Sequence, residues 1–165
     1  MRRAIVLLFT LVLGGAASAS GQAAAPALAP NRAADSAAVL AVVQRVFDAM
    51  RSRDSALLRT AFAEDARLFT PAMRNGAPMV RAEPISGFIE AVGQPSDSTW
   101  DERLYGTELR LDGGLATVWT EYDFYLGSRF LHCGVDAFQL ARYPDGWKIT
   151  TLADTRQREG CPIRQ

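Results

Sequence analysis

The chain has 165 residues, 48% hydrophobic and 22% charged, enough for one domain with a real core. Lys and Arg number 18 and Asp and Glu number 18, so no long-range positive field exists and nucleic acid is not an expected partner. A single histidine excludes a multi-histidine metal centre, and no Cys/His cluster has zinc spacing, so neither metal nor cofactor is expected.

Met1-Arg2-Arg3 is a short positive start, and Ala4 to Leu13 is an apolar run. That run is too short to span a bilayer core of about 30 Å as a helix. Ala17-Ser18-Ala19 offers a cleavage site. Residues 1–19 therefore read as a secretory leader, with a retained N-terminal anchor as the alternative. The mature chain is expected in an exported, periplasmic or extracellular, oxidising compartment, with no membrane contact. Residues 20–33 read as an Ala/Pro-rich flexible linker, 34–158 as the folded domain and 159–165 as a tail.

The domain opens on a helix, with Asp35 or Ser36 as N-cap. Val39, Val42, Val43, Val46, Phe47 and Met50 recur at helical spacing on one face. Asp54 caps a shorter helix with Leu57, Leu58, Ala61 and Phe62 on its apolar side. Ala66 to Thr70 reads as a short strand stopped by Pro71, and Pro71 to Glu83 as a loop. Pro84 opens a third helix that buries Ile85, Phe88, Ile89 and Val92 and ends at Gly93.

The remainder is β. Trp100 to Leu111, Leu115 to Leu126, Phe130 to Arg142 and Trp147 to Thr155 are four strands. Asp112-Gly113-Gly114, Gly127-Ser128 and Pro144-Asp145-Gly146 are the turns between them. Helices followed by an antiparallel meander make an α+β domain, with the helices on one face of a curved sheet.

Strand parity selects candidate site residues. Trp147 and Ile149 belong to the core and pair near Arg142 and Leu140, so Leu140, Phe138, Asp136, Gly134, His132 and Phe130 share one face. That face carries an isolated acid and the lone histidine, and a buried acid needs a partner. A two-residue turn at Gly127-Ser128 sets Asp123 opposite His132 and Trp119 opposite Asp136. Yet Ala116, Val118, Tyr122, Phe124 and Leu126 form the more apolar set on that strand. A β-bulge would resolve the conflict, so either Tyr122 or Asp123 lies near His132. Trp100, Tyr105, Trp119, Tyr122 and Phe124 are able to stack on a flat ligand, or serve as core or dimer interface. Arg103 and Arg110 either meet an anionic group or only solubilise. Export permits a Cys133–Cys161 disulfide, if the chain turns at Glu159-Gly160. The alternative is two independent cysteines.

Three stretches carry a family resemblance: the long helix leading into Ala61-Phe62-Ala63-Glu64-Asp65-Ala66-Arg67-Leu68, the helix around Phe88-Ile89, and Phe138 to Ile149. Over about residues 35–157 the chain resembles the nuclear transport factor 2-like superfamily, which includes SnoaL-like cyclases and ketosteroid isomerases. The Tyr122/Phe124, His132-Cys133-Gly134 and Gly146-Trp147-Lys148-Ile149 run is most similar to the exported group known as putative lumazine-binding. The resemblance implies a cone-shaped curved antiparallel sheet with three helices on its concave face, enclosing a pocket. It implies an exported small-molecule-binding domain, and the strand parity and aromatic residues above make Trp119, Tyr122, Asp123, His132, Asp136 and Phe138 the candidate ligand contacts. The alternatives are a cyclase, isomerase or dehydratase using Asp136 and His132 as an acid–base pair, or a homodimeric interaction domain.

Overall fold

The computed structural model describes residues 31–163. The expected leader and most of the expected linker lie outside the described residues. The elements are α1 (Arg32–Ser52), α2 (Ser55–Arg59), β1 (Phe62–Arg74), β2 (Ala77–Pro84), α3 (Ile85–Gly93), β3 (Trp100–Asp112), β4 (Leu115–Leu126), β5 (Arg129–Tyr143) and β6 (Gly146–Asp154). The strands form one sheet in the order β2-β1-β6-β5-β4-β3. All neighbours are antiparallel except β1 and β6, which run parallel.

Helix α1 starts earlier than its apolar stripe. Asn31, not Asp35 or Ser36, is the N-cap, and its side chain accepts from the Ala34 N–H at 3.2 Å. Alanines at 33, 34, 37 and 38 propagate helix without needing a buried face. Asp35 sits inside the first turn, buried, and pairs with Arg142 of β5. The helix ends at Arg53, in the left-handed region at φ 58°, and Asp54 immediately caps α2 through the Leu57 N–H at 2.8 Å.

The stretch expected to be a loop is a β-hairpin. Pro71 does not stop β1; it pairs with Val80 of β2. Asn75 (φ 53°) and Gly76 (φ 77°) form the two-residue turn between Arg74 and Ala77. A proline is tolerated there because β1 contacts β6 only as far as Phe69, so its far half is an edge.

The core lies between the helices and the concave sheet face. Val39, Val43, Val46 and Phe47 of α1 meet Val118, Phe138, Leu140 and Ile149 of the sheet, all at most 2% exposed. Phe47 and Phe138 pack edge-on with centroids 6.1 Å apart. Leu58, Ile89 and Val92 bring α2 and α3 onto the same cluster.

Three bulges set the phase of the strands around the site, one of them at Thr150 of β6, between the pairs Leu140–Ile149 and Gln139–Thr151. Phe124 pairs with His132 but Tyr125 pairs with Phe130, so Leu131 is the extra residue. This places Tyr122, not Asp123, on the His132 face, and Thr120 rather than Trp119 opposite Asp136. It also moves Phe130 off the concave face, where it packs on Tyr125 instead. On β3, Tyr105 pairs with Glu121 and Glu108 with Trp119, with Gly106 at φ 57° inside the bulge.

Candidate functional site

Between α1, α3 and the concave sheet face lies a cavity of about 590 Å³, a size typical of small-molecule sites. Its apolar wall is Met50 of α1, Leu68 of β1, Phe88 of α3, Trp100 of β3 and Phe124 of β4. The rings are held edge-on to their neighbours: Phe88 to Phe62 at 6.5 Å, and Trp100 to Phe124 at 6.1 Å. Glu102, His132, Arg156 and Arg158 supply the polar side, with Arg81 and Glu83 of β2 paired at 3.4 Å. A recess of about 30 Å³ adjoins the cavity, shares Glu102 and Arg156 with it, and is lined further by Asp136, Phe138 and Asp154.

Three carboxyl groups meet around that recess. Asp136 is 4% exposed, faces Asp154 across the β5–β6 pair, and donates a hydrogen bond to Glu102. Burial pushes Asp136 well above the usual carboxylate range, and the nearby charges of Glu102 and Asp154 push it further. Burial raises Glu102 to about 8, with Asp154 adding to the rise and Arg156 opposing it. Asp136 therefore carries the proton of that hydrogen bond, and Glu102, at about 8, is itself largely protonated at pH 7. Asp154 has different partners: it accepts from the Thr70 hydroxyl and from Arg156 Nε. Those two donors satisfy its buried oxygens.

His132 sits apart from this cluster. Its ring stacks on Phe124 at 5.0 Å and lies 5.7 Å from the Tyr122 ring. Nδ1 is 3.4 Å from the Tyr122 hydroxyl, which itself donates to the Thr155 carbonyl at 2.9 Å. Burial lowers the histidine, and the Arg156 charge lowers it further, so the imidazole is neutral at pH 7. Burial raises Tyr122, so its phenol stays protonated.

The C-terminal segment completes the wall. Gln157 N donates to Cys133 O at 2.9 Å and Cys133 N donates to Gln157 O at 3.0 Å. The Cys133–Cys161 disulfide, with Cα atoms 5.8 Å apart, holds the segment beyond Gly160 (φ 71°) against β5. Arg156 and Arg158 flank Gln157 in the extended chain, and both reach the cavity.

The sequence-predicted residues are thus divided. His132 lines the main cavity, and Asp136 and Phe138 line the recess, Phe138 as a core residue only 1% exposed. The expected Asp136–His132 pair is not made: Asp136 bonds to Glu102, and His132 to Tyr122. Tyr122 is buried behind His132 rather than in the cavity. Asp123 is buried on the opposite parity of the sheet, in register with the exposed Arg103 and the buried Cys133. Trp119, 54% exposed, lies on the outer face beside Arg110, in a separate shallow groove. Both corrections follow from the Leu131 bulge. Glu102, Asp154, Arg156 and Arg158 were not among the expected site residues. The signal for Glu102 was its position two residues from each of Trp100 and Leu104, the apolar residues of that half-strand.

Among the described residues no group of three or more His, Cys, Asp and Glu side chains is placed to hold a metal ion.

No curated protein matches the chain. Several solved structures share its fold. An NTF2-like protein of unknown function from Shewanella baltica superposes with a TM-score of 0.61 at 16% identity, over 78% of this chain and 98% of that one. An NTF2-like protein with a cystatin-like fold from Novosphingobium aromaticivorans gives 0.61 at 12% identity, over 78% and 85%. A protein described as a putative dehydratase of the NTF2-like family, from Streptomyces avermitilis, gives 0.60 at 14% identity, over 76% and 99%. Residues 34–152 match the family described as putative lumazine-binding, and the chain belongs to that family, within the nuclear transport factor 2-like fold.

Proposed function

We propose that this is an exported domain that binds an apolar, ring-bearing small molecule in the cavity between α1, α3 and the sheet. The observation that carries the reading is the cavity itself: about 590 Å³, walled by Phe88, Trp100 and Phe124, with ionisable groups converging on one side. A cavity walled by aromatic side chains gains from burying a flat apolar body, while the polar groups orient it. The Cys133–Cys161 bond supports an oxidising location. The family description makes lumazine, a flat bicyclic molecule, a first compound to try.

Native mass spectrometry of the protein purified from its host tests the reading, with Ala91→Phe as the control. Ala91 is a small residue of α3 on the cavity wall, so the larger ring fills the space a ligand would take. A bound mass in the wild type that is lost in A91F is expected. A ligand retained equally by both would place binding elsewhere and overturn the reading.

The buried hydrogen bond from Asp136 to Glu102 favours a second reading, an acid–base enzyme of dehydratase or isomerase type. In that case Glu102, which reaches the main cavity, is the group that meets substrate, and Asp136 orients it and stabilises its carboxylate by donating a hydrogen bond. Glu102→Gln would then abolish turnover while a bound ligand persists.

A further inference from the structure

We infer that the cavity selects an organic anion with a single negative charge, its aromatic body against Phe88 and Trp100 and its acidic group at Arg156 and Arg158. This rests on the small-molecule-binding reading and names the class of molecule.

A census of the charges around the cavity carries the inference. Arg81 is matched by Glu83, and Arg156 is matched at Nε by Asp154. Arg158 reaches the same cavity and has no ion-pair partner among the described residues. Glu102, raised to about 8, and Asp136, which carries the proton it donates, are both largely uncharged at pH 7, and His132 is neutral, so none of them cancels it. One positive charge is left over. Arg156 uses Nε for Asp154, which leaves its two terminal nitrogens for a planar carboxylate.

The two arginines are also held in place. They alternate around Gln157, whose backbone is bonded twice to Cys133, and the disulfide closes the segment a few residues later. A guanidinium on a tethered strand loses less freedom on meeting its ligand than one on a loose tail. Opposite them the wall is apolar and aromatic, so the arrangement suits an aromatic acid better than inorganic phosphate.

Isothermal titration of the disulfide-bonded protein with naphthoate and with its neutral isostere naphthamide tests this, in the wild type and in Arg158→Gln. Arg158 is exposed and has no ion-pair partner among the described residues, so the variant should keep the wild-type melting temperature. Naphthoate is expected to bind at least tenfold tighter than naphthamide, with only naphthoate weakened by added salt. Arg158→Gln should remove most of that preference and leave naphthamide unchanged. Equal binding of the two probes, or a preference that survives in Arg158→Gln, would overturn the anion assignment while leaving the pocket reading intact. Binding of neither probe would overturn the anion assignment as well, and the co-purified mass and its loss in A91F then decide the pocket reading separately.

Discussion

Gly134 is the position where one methyl group should separate the tail from the sheet. A Cβ built there lies 1.8 Å from the Thr155 carbonyl oxygen, 2.8 Å from its carbon and 3.0 Å from Cε1 of Tyr122. The nearest atom is backbone, so Gly134→Ala must push the Thr155 peptide away by about 1.5 Å to restore ordinary contact. Thr155 makes three hydrogen bonds that such a shift breaks: Tyr122 hydroxyl to its carbonyl at 2.9 Å, its N–H to Val135 O at 3.0 Å, and Val135 N–H to its hydroxyl at 3.1 Å. At about 1 kcal/mol each the loss is about 3 kcal/mol. The stiffer unfolded chain offsets about 0.5–1 kcal/mol of that. A net destabilisation of about 2 kcal/mol is expected.

Gly87→Ala is the matched control. Gly87 lies in α3, has no positive φ, and a Cβ there meets nothing within 4 Å. The same chemical change should stabilise by about 0.5–1 kcal/mol, through helix propensity. Urea unfolding of both variants, oxidised and followed by tryptophan fluorescence, reads the two signs. Gly134→Ala within about 0.5 kcal/mol of wild type, well under the hydrogen-bond loss above, would refute the close approach of Thr155 to β5. A destabilised Gly87→Ala would refute the open space assigned beside α3.

Other outcomes follow from the same geometry. Cys161→Ser opens a loop of 28 residues and should cost about 3–4 kcal/mol by chain entropy, measured by urea unfolding with and without reductant; a loss under about 1 kcal/mol would count against a closed bridge. Glu102 and Asp136 are both raised in the folded state, amid Asp154, Arg156, Arg51 and Tyr122. Their contribution to stability is therefore full below the ordinary carboxylate range and lost as pH climbs towards about 8. Asp136→Asn keeps a donor for Glu102 and should flatten that decline in a pH series of unfolding curves; an unchanged slope would sink the raised carboxyl pair. Trp119→Ala, on the outer face, should change stability by less than about 1 kcal/mol and leave naphthoate titrations unaltered, whereas a loss of binding would return Trp119 to the site.

Much of the fold was legible because its elements are locally consistent. The α1 stripe, the Asp54 cap and the four strands with glycine turns each point to one structure, and the pairs Leu140–Ile149 and Arg142–Trp147 follow from turn length alone. The β1–β2 hairpin was not legible, because its strands are mostly exposed beyond Thr70 and show no alternation. Its Asn75-Gly76 turn was the available signal, and Pro71 masked it. A proline reads as a strand stop only where both edges are paired, and one edge of β1 is free there.

The site was less legible, for a reason that lies in the bulges. On β3 the concave residues are Glu102 and Leu104 before Gly106, but Leu109 and Leu111 after it. The strand therefore alternates with two phases, and an acid at an even position looks solvent-facing when the strand is read from its odd half. On β5 the extra residue Leu131 does the same to His132 and Phe130. A one-residue insertion leaves composition and propensity untouched while turning every later side chain over. Arg156 and Arg158 lie past the end of the last strand, where nothing in the local sequence says which way a chain turns. Their direction is decided by Gly134, which lets Thr155 close on β5, and by Cys133, which ties the segment down twice. The charge at the cavity thus depends on two residues that carry no charge, which is why Gly134→Ala should weaken naphthoate binding as well as the fold.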